Sequence, residues 1–199
     1  MQCKNLILTS AAFTVTAFGP LAATASAQEI FTGDARLACE AILCLSSSTQ
    51  PGECTPSLRR YFSILHRKLS DTIQARTNFL NLCPAAHQTP QMAALVNAQA
   101  NGAGRCDAAS LNAVARSWTG LDEGMVYVSN QMPSYCTAYT SNAYTDFSST
   151  VPHYVGIPER AGYWVEARDY ERALGEYNAR IKAEDDERQR AGWGRDGSN

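Results

Sequence analysis

Histidine is scarce in this chain, three in 199 residues, and His66, His87 and His153 do not cluster with obvious partners. They read as surface or hydrogen-bonded structural histidines, which leaves no histidine-centred catalytic constellation and no metal-ligand set. No glycine-rich loop precedes a helical pattern, so the usual cradle for nucleotide phosphates is missing and no cofactor is expected. Neither sign of charge dominates, with 17 Lys and Arg against 19 Asp and Glu. The densest basic stretch, Arg59, Arg60, Arg67 and Lys68, is split by apolar residues. It reads as solvated helix faces and not as a nucleic-acid surface. Beyond the N-terminal segment no run is apolar enough to span a bilayer.

That N-terminal segment has the layout of a cleavable secretory leader. Lys4 supplies the positive end, Leu6 to Phe18 an apolar run too short to span, and Gly19-Pro20 a helix break. Ala25-Ser26-Ala27 then presents small residues at both positions a signal peptidase reads, which predicts cleavage after Ala27 and Gln28 as the first mature residue. The expected location is the periplasm. Arg36-Leu37-Ala38-Cys39 superficially resembles a lipidation site, but Arg36 stands where a branched apolar residue is needed and no apolar run precedes it. The chain therefore divides into a signal peptide at 1–27, one disulfide-stabilised domain at 28–183 and a charged tail at 184–199 that is expected to be disordered.

Seven cysteines become six once Cys3 leaves with the leader, and an even number in an exported chain reads as a disulfide framework. Cys39, Cys44, Cys54, Cys83, Cys106 and Cys136 lack the close second pair or flanking histidine that zinc requires. Sequence does not choose among the connectivities. A nested pattern is the working expectation: Cys44 to Cys54, Cys83 to Cys106, and Cys39 to Cys136.

Helical periodicity dominates the first half. Asp34 is a candidate N-cap for a helix to Ser47, and Ser46 to Cys54 is a loop that a local disulfide can close. Thr55-Pro56 opens a stretch in which Leu58, Phe62, Leu65, Leu69, Ile73, Arg76 and Leu80 trace an apolar stripe. Ser70 and Asp71 offer a second start within it. Leu58, Phe62, Leu65, Ile73 and Leu80 are the expected core. Thr89-Pro90 repeats the cap signature before Gly102 and Gly104 stop the helix. After Cys106 the period fades: residues 113–118 and 125–129 suggest a hairpin, and residues 135–164 suggest short strands and ordered turns. From Tyr163, the residues Ala167, Tyr170, Leu174, Tyr177 and Ile181 form a helical seam that needs something to pack against, its own domain or a partner helix. The fold class is mainly α, a small disulfide-stabilised helical domain with a minor antiparallel β element in its second half.

The sequence blocks also match a family. Cys39-Glu40-Ala41-Ile42-Leu43-Cys44-Leu45-Ser46, Glu53-Cys54-x-Pro56, Tyr61-Phe62-Ser63-Ile64 and Arg76-x-x-Phe79-Leu80-Asn81-Leu82-Cys83-Pro84 resemble the TrbM/KikA/MpfK family of conjugal transfer proteins. Pro133-Ser134-Tyr135-Cys136, Tyr144-Thr145-Asp146, Tyr154-Val155-Gly156-x-Pro158-Glu159-Arg160 and Gly162-Tyr163-Trp164-Val165-Glu166 are similar to its C-terminal blocks. The resemblance implies a periplasmic accessory component of a type IV secretion system, active in mating-pair formation, with no known reaction and with other secretion or pilus components of the envelope as partners.

Two classes of function follow. The first is a binding or scaffolding part, for which Tyr135, Tyr144, Tyr154, Tyr163 and Trp164 are the candidate partner-binding residues, since Tyr and Trp supply contact area at low entropic cost. The alternative is a peptidoglycan hydrolase that opens the cell wall, with Glu40 as its general acid. Glu40 lacks the Ser and aromatic context expected after such a glutamate, so the chain reads as a non-enzyme.

Overall fold

The computed structural model describes residues 32–114, 116–119 and 125–193, so the leader expected at 1–27 lies outside the described residues. The first helix, α1 (Gly33–Cys44), has Thr32 at its N-cap position, and Asp34 sits in the first turn instead. There a carboxylate still opposes the positive helix end, and it accepts a 2.8 Å bond from Arg60. The other end of α1 is finished by tertiary structure: the buried Gln99 amide donates to the Ile42 carbonyl at 2.7 Å.

The long apolar stripe resolves into two helices, α2 (Thr55–Phe62) and α3 (Leu69–Leu80). Between them the Ser63 hydroxyl donates to the Arg60 carbonyl at 2.7 Å, and the His66 N–H donates to the Thr72 hydroxyl at 2.9 Å. The expected core is corrected on two counts: α2 turns its Ser57–Tyr61 face inward in place of Leu58–Phe62, and Leu65 falls in the turn between the helices. Tyr61 and Leu80 are fully buried, Leu58 and Ile73 only border the core, and Phe62 and Leu65 are 37% and 71% exposed. Arg76 is buried beneath them, its guanidinium 4.8 Å from the Tyr61 ring centroid and 5.5 Å from that of Phe62.

Helix α4 (Pro90–Gly102) starts as expected, with the Thr89 hydroxyl accepting from the Met92 N–H at 3.2 Å. It ends before Gly104, which adopts φ +73°. A short α5 (Ala108–Val114) follows, so the hairpin begins later than expected. It pairs β1 (Arg116–Thr119) antiparallel to β2 (Met125–Val128), with Arg116 opposite Val128. Segment 135–164, expected to lack regular helix, contributes α6 (Ser134–Thr140) before its second ribbon. That ribbon is β3 (His153–Val155) antiparallel to β4 (Tyr163–Val165), with Tyr154 opposite Trp164. The main core gathers Ala38, Ala41, Leu45, Tyr61, Leu80, Ala100, Leu111 and Cys136.

Three disulfides brace these elements: Cys39–Cys83, Cys44–Cys54 and Cys106–Cys136. Only Cys44–Cys54 matches the nested expectation. The packing of α1 on α3 brings the Cys39 and Cys83 Cα atoms to 4.9 Å. Helix α4 then carries the chain about 20 Å onward before Cys106, which removes Cys83 from its reach. Cys39 is thereby committed to a disulfide, a second reason against lipidation.

The C-terminal seam docks on its own domain. Helix α7 (Tyr170–Trp193) begins after a 3₁₀ turn at Ala167–Asp169, so Tyr163 and Ala167 of the expected seam lie outside it. Val155, Ala173 and Tyr177 form a second buried cluster with Tyr163, Val165, Leu174 and Ile181 around it. The disordered tail expected from 184 gives way to helix as far as Trp193, where charges pair one turn apart along the helix. Arg180 meets Glu184 at 2.6 Å and Lys182 meets Asp186 at 2.7 Å, while Arg160 forks onto Glu184 and Asp185 at 3.1 and 2.8 Å. These arginines hold both acidic carboxyls below the usual carboxylate range.

Candidate functional site

The five candidate aromatic residues separate by environment. Trp164 is buried and its indole N–H donates to the Ser129 carbonyl at 2.9 Å. Tyr154 packs edge-on against it and donates its hydroxyl to the Val128 carbonyl at 2.6 Å. Together they fasten the second ribbon to the end of the first, and burial raises the Tyr154 phenol to about 12. Tyr163 borders the α7 cluster. These three make packing contacts within the fold, as do Tyr61 and Tyr139. The Tyr61 phenol is raised by burial to about 12 and donates to the Gln99 carbonyl at 2.9 Å. Tyr139, also raised by burial, donates to the Leu45 carbonyl at 2.6 Å.

Tyr135 and Tyr144 are different. Tyr144 is 50% exposed, and its N–H donates to the Asn142 side chain at 3.0 Å. Tyr135 lines a groove of about 530 Å³ between α4 and α6, where Ala94, Asn97, Ala98 and Asn101 face Ser134, Tyr135, Ala138 and Asn142. The Tyr135 hydroxyl oxygen is buried and has no hydrogen-bond partner among the described residues. The Arg105 guanidinium lies 4.0 Å from the Tyr135 ring centroid and donates to the Asn101 carbonyl at 2.7 Å.

The groove owes its form to small residues. Gly102 lets α4 approach the base of the Tyr139 side chain, where a Cβ would meet Tyr139 Cβ and Cγ. Alanines supply apolar walls, and the Asn97, Asn101 and Asn142 amides supply donors and acceptors together. Such a lining suits an extended peptide segment, whose backbone presents both kinds of group. Of the five candidates only Tyr135 lines this groove; its α4 wall is not evident in sequence, since asparagines on a helix look like an ordinary solvated face. Glu40 is on α1, partly exposed and paired with Arg36 one turn away along the same helix at 2.9 Å. Among the described residues no group of three His, Cys, Asp or Glu is placed to hold a metal ion, and no helix is long and apolar enough to cross a membrane.

Fold and groove together define a class of disulfide-braced helical domains with a polar interhelical cleft. A model of the TrbM family matches residues 30–178, well over half of the chain, and the chain belongs to that family. Membership makes it a conjugation-related protein. No curated protein and no solved structure matches it.

Proposed function

We propose that the protein is exported to the periplasm and serves there as a non-catalytic binding part of the mating-pair apparatus of a type IV secretion system. In this reading it grips an extended segment of an envelope or pilus component in the α4–α6 groove, beside Tyr144. The observation that carries the reading is the α4–α6 groove itself, about 530 Å³ with alanine walls, the Asn97, Asn101 and Asn142 amides and Tyr135 in its lining. Family membership supplies the conjugative context. The hydrolase alternative would have to use Glu40, which is partly exposed on α1, paired with Arg36 and outside the α4–α6 groove.

Ala138 is an exposed α6 position on the groove wall, so Ala138→Lys fills the groove without touching the core. Plasmid transfer in mating assays is expected to fall roughly tenfold, while stability stays within about 0.5 kcal/mol of wild type. Tyr135→Phe removes a buried hydroxyl that has no partner among the described residues and is expected to cause no loss of melting temperature. Wild-type transfer by Ala138→Lys overturns the groove assignment.

Export is tested separately. The three disulfides use all six cysteines beyond the leader, as an oxidising compartment requires. Periplasmic protein is expected to begin at Gln28 and to resist alkylation until reduced; an intact mass retaining residues 1–27 counts against this reading.

A further inference from the structure

The turn between α2 and α3 exposes apolar side chains that the core does not use. Leu65 is 71% exposed, and Leu69 and Leu82 are exposed as well. Leu65 and Leu82 line a cleft of about 540 Å³ with Ile64, Phe79, Arg60 and His66. Between the exposed Glu53 and Asp71 the chain carries Arg59, Arg60, Arg67 and Lys68 and no acidic residue, in a protein whose net charge is −2. Arg60 is neutralised by Asp34 at 2.8 Å. Arg59, Arg67 and Lys68 are exposed and take part in no ion pair among the described residues. The turn itself is held in place: the Ile64 N–H donates to the Tyr61 carbonyl at 3.2 Å, and Thr72 accepts from the His66 N–H.

We propose that this turn rests on an anionic phospholipid bilayer, with Leu65 and its apolar neighbours in the headgroup boundary and Arg59, Arg67 and Lys68 against lipid phosphates. The charge complementarity decides the occupant. Three unneutralised cations in the same short stretch of chain as the exposed Leu65 and Leu69 match a surface that offers anions over its whole area and an apolar layer just beneath. An acidic protein would have to reproduce that spacing residue by residue, and the turn's internally bonded backbone offers it no strand edge. This contact is distinct from the α4–α6 groove and needs no membrane span.

The test is co-sedimentation of the purified oxidised protein with phosphatidylcholine vesicles made with and without phosphatidylglycerol. Binding is expected only with phosphatidylglycerol, weakening as salt rises, and Arg67→Gln or Lys68→Gln each reduces partitioning about fivefold. Leu65→Ser reduces it further, and Leu43→Ser, at a 74% exposed α1 position, leaves it unchanged. All four sites are exposed, and unchanged circular dichroism and melting confirm that each variant is folded. Equal binding to both vesicle types, no binding to either, or equal loss in Leu43→Ser and Leu65→Ser overturns the proposal. So does capture of an acidic protein through this turn by a chain that ignores vesicles.

Discussion

Replacing Cys39 and Cys83 together by alanine is expected to lower the unfolding free energy by about 4 kcal/mol, because their bond closes the longest of the three loops. The sequence separation is 44 residues, against 30 for Cys106–Cys136 and 10 for Cys44–Cys54. In the chain-entropy model the corresponding losses are about 3.6 and about 2.7 kcal/mol. A domain of this size has a total stability of roughly 5–15 kcal/mol, so the first pair decides whether a folded population survives. Denaturant unfolding of the three double variants checks the ranking. A smaller loss for the Cys39/Cys83 pair than for Cys44/Cys54 would show that native packing of α1 on α3 persists without the bond and that the loop argument fails.

Gly156→Ala is expected to cost about 3 kcal/mol, through two effects at one atom. Its φ of +82° is one that L side chains rarely adopt, and an added Cβ would overlap the Tyr177 ring. The ring cannot simply step aside, because its hydroxyl accepts the Ile157 N–H at 3.2 Å and its body fills the cluster with Val155 and Ala173. Left-handed strain contributes about 1–2 kcal/mol and overpacking about 1–3 kcal/mol. Since the α7 cluster is separate from the main core, amide exchange should accelerate along 170–181 before it does in α1 or α4. Gly175→Ala is the control: nothing lies within 4 Å of its added Cβ, and in a helix interior the change stabilises by about 0.5–1 kcal/mol. Equal effects at the two glycines would refute the steric account.

The parts of the fold legible in sequence are those fixed by neighbours along the chain. Thr89 and Pro90 start α4 by a local bond, and the loop between Cys44 and Cys54 is short enough to close on itself. The α7 seam was readable from its spacing, although its first two members belong to other elements. What escaped was set by distant contacts. Ser-Tyr-Cys-Thr-Ala-Tyr-Thr has the composition of a strand or turn, and it is helical in α6 because Cys136 and Tyr139 are fastened to Cys106 and to the Leu45 carbonyl. Phe62 and Leu65 obeyed the apolar stripe, but α2 buries its Ser57–Tyr61 face instead and Leu65 falls in the break at 63–68. The tyrosines show the same limit at the candidate site. Tyr144 and Tyr154 are alike in sequence, yet only Tyr154 finds a carbonyl, on Val128, delivered by a separate ribbon. Continuation of α7 past residue 184 depends on Arg160, which no local reading connects to Glu184 and Asp185.

The order of the disulfides along the chain bears on how the protein matures. Cys44–Cys54 is enclosed within Cys39–Cys83, and Cys106–Cys136 follows both. A chain that meets an oxidant N-terminus first offers Cys39 and Cys44 as its earliest pair of thiols, and joining them in order of appearance makes a bond absent from the finished protein. That bond must be reopened by thiolate attack so that Cys44 passes to Cys54 and Cys39 waits for Cys83. Reshuffling of this kind takes seconds to hours without assistance, so assembly of the first half calls for an isomerase as well as an oxidase. Cys106 and Cys136 are successive thiols, and that ring closes by simple oxidation.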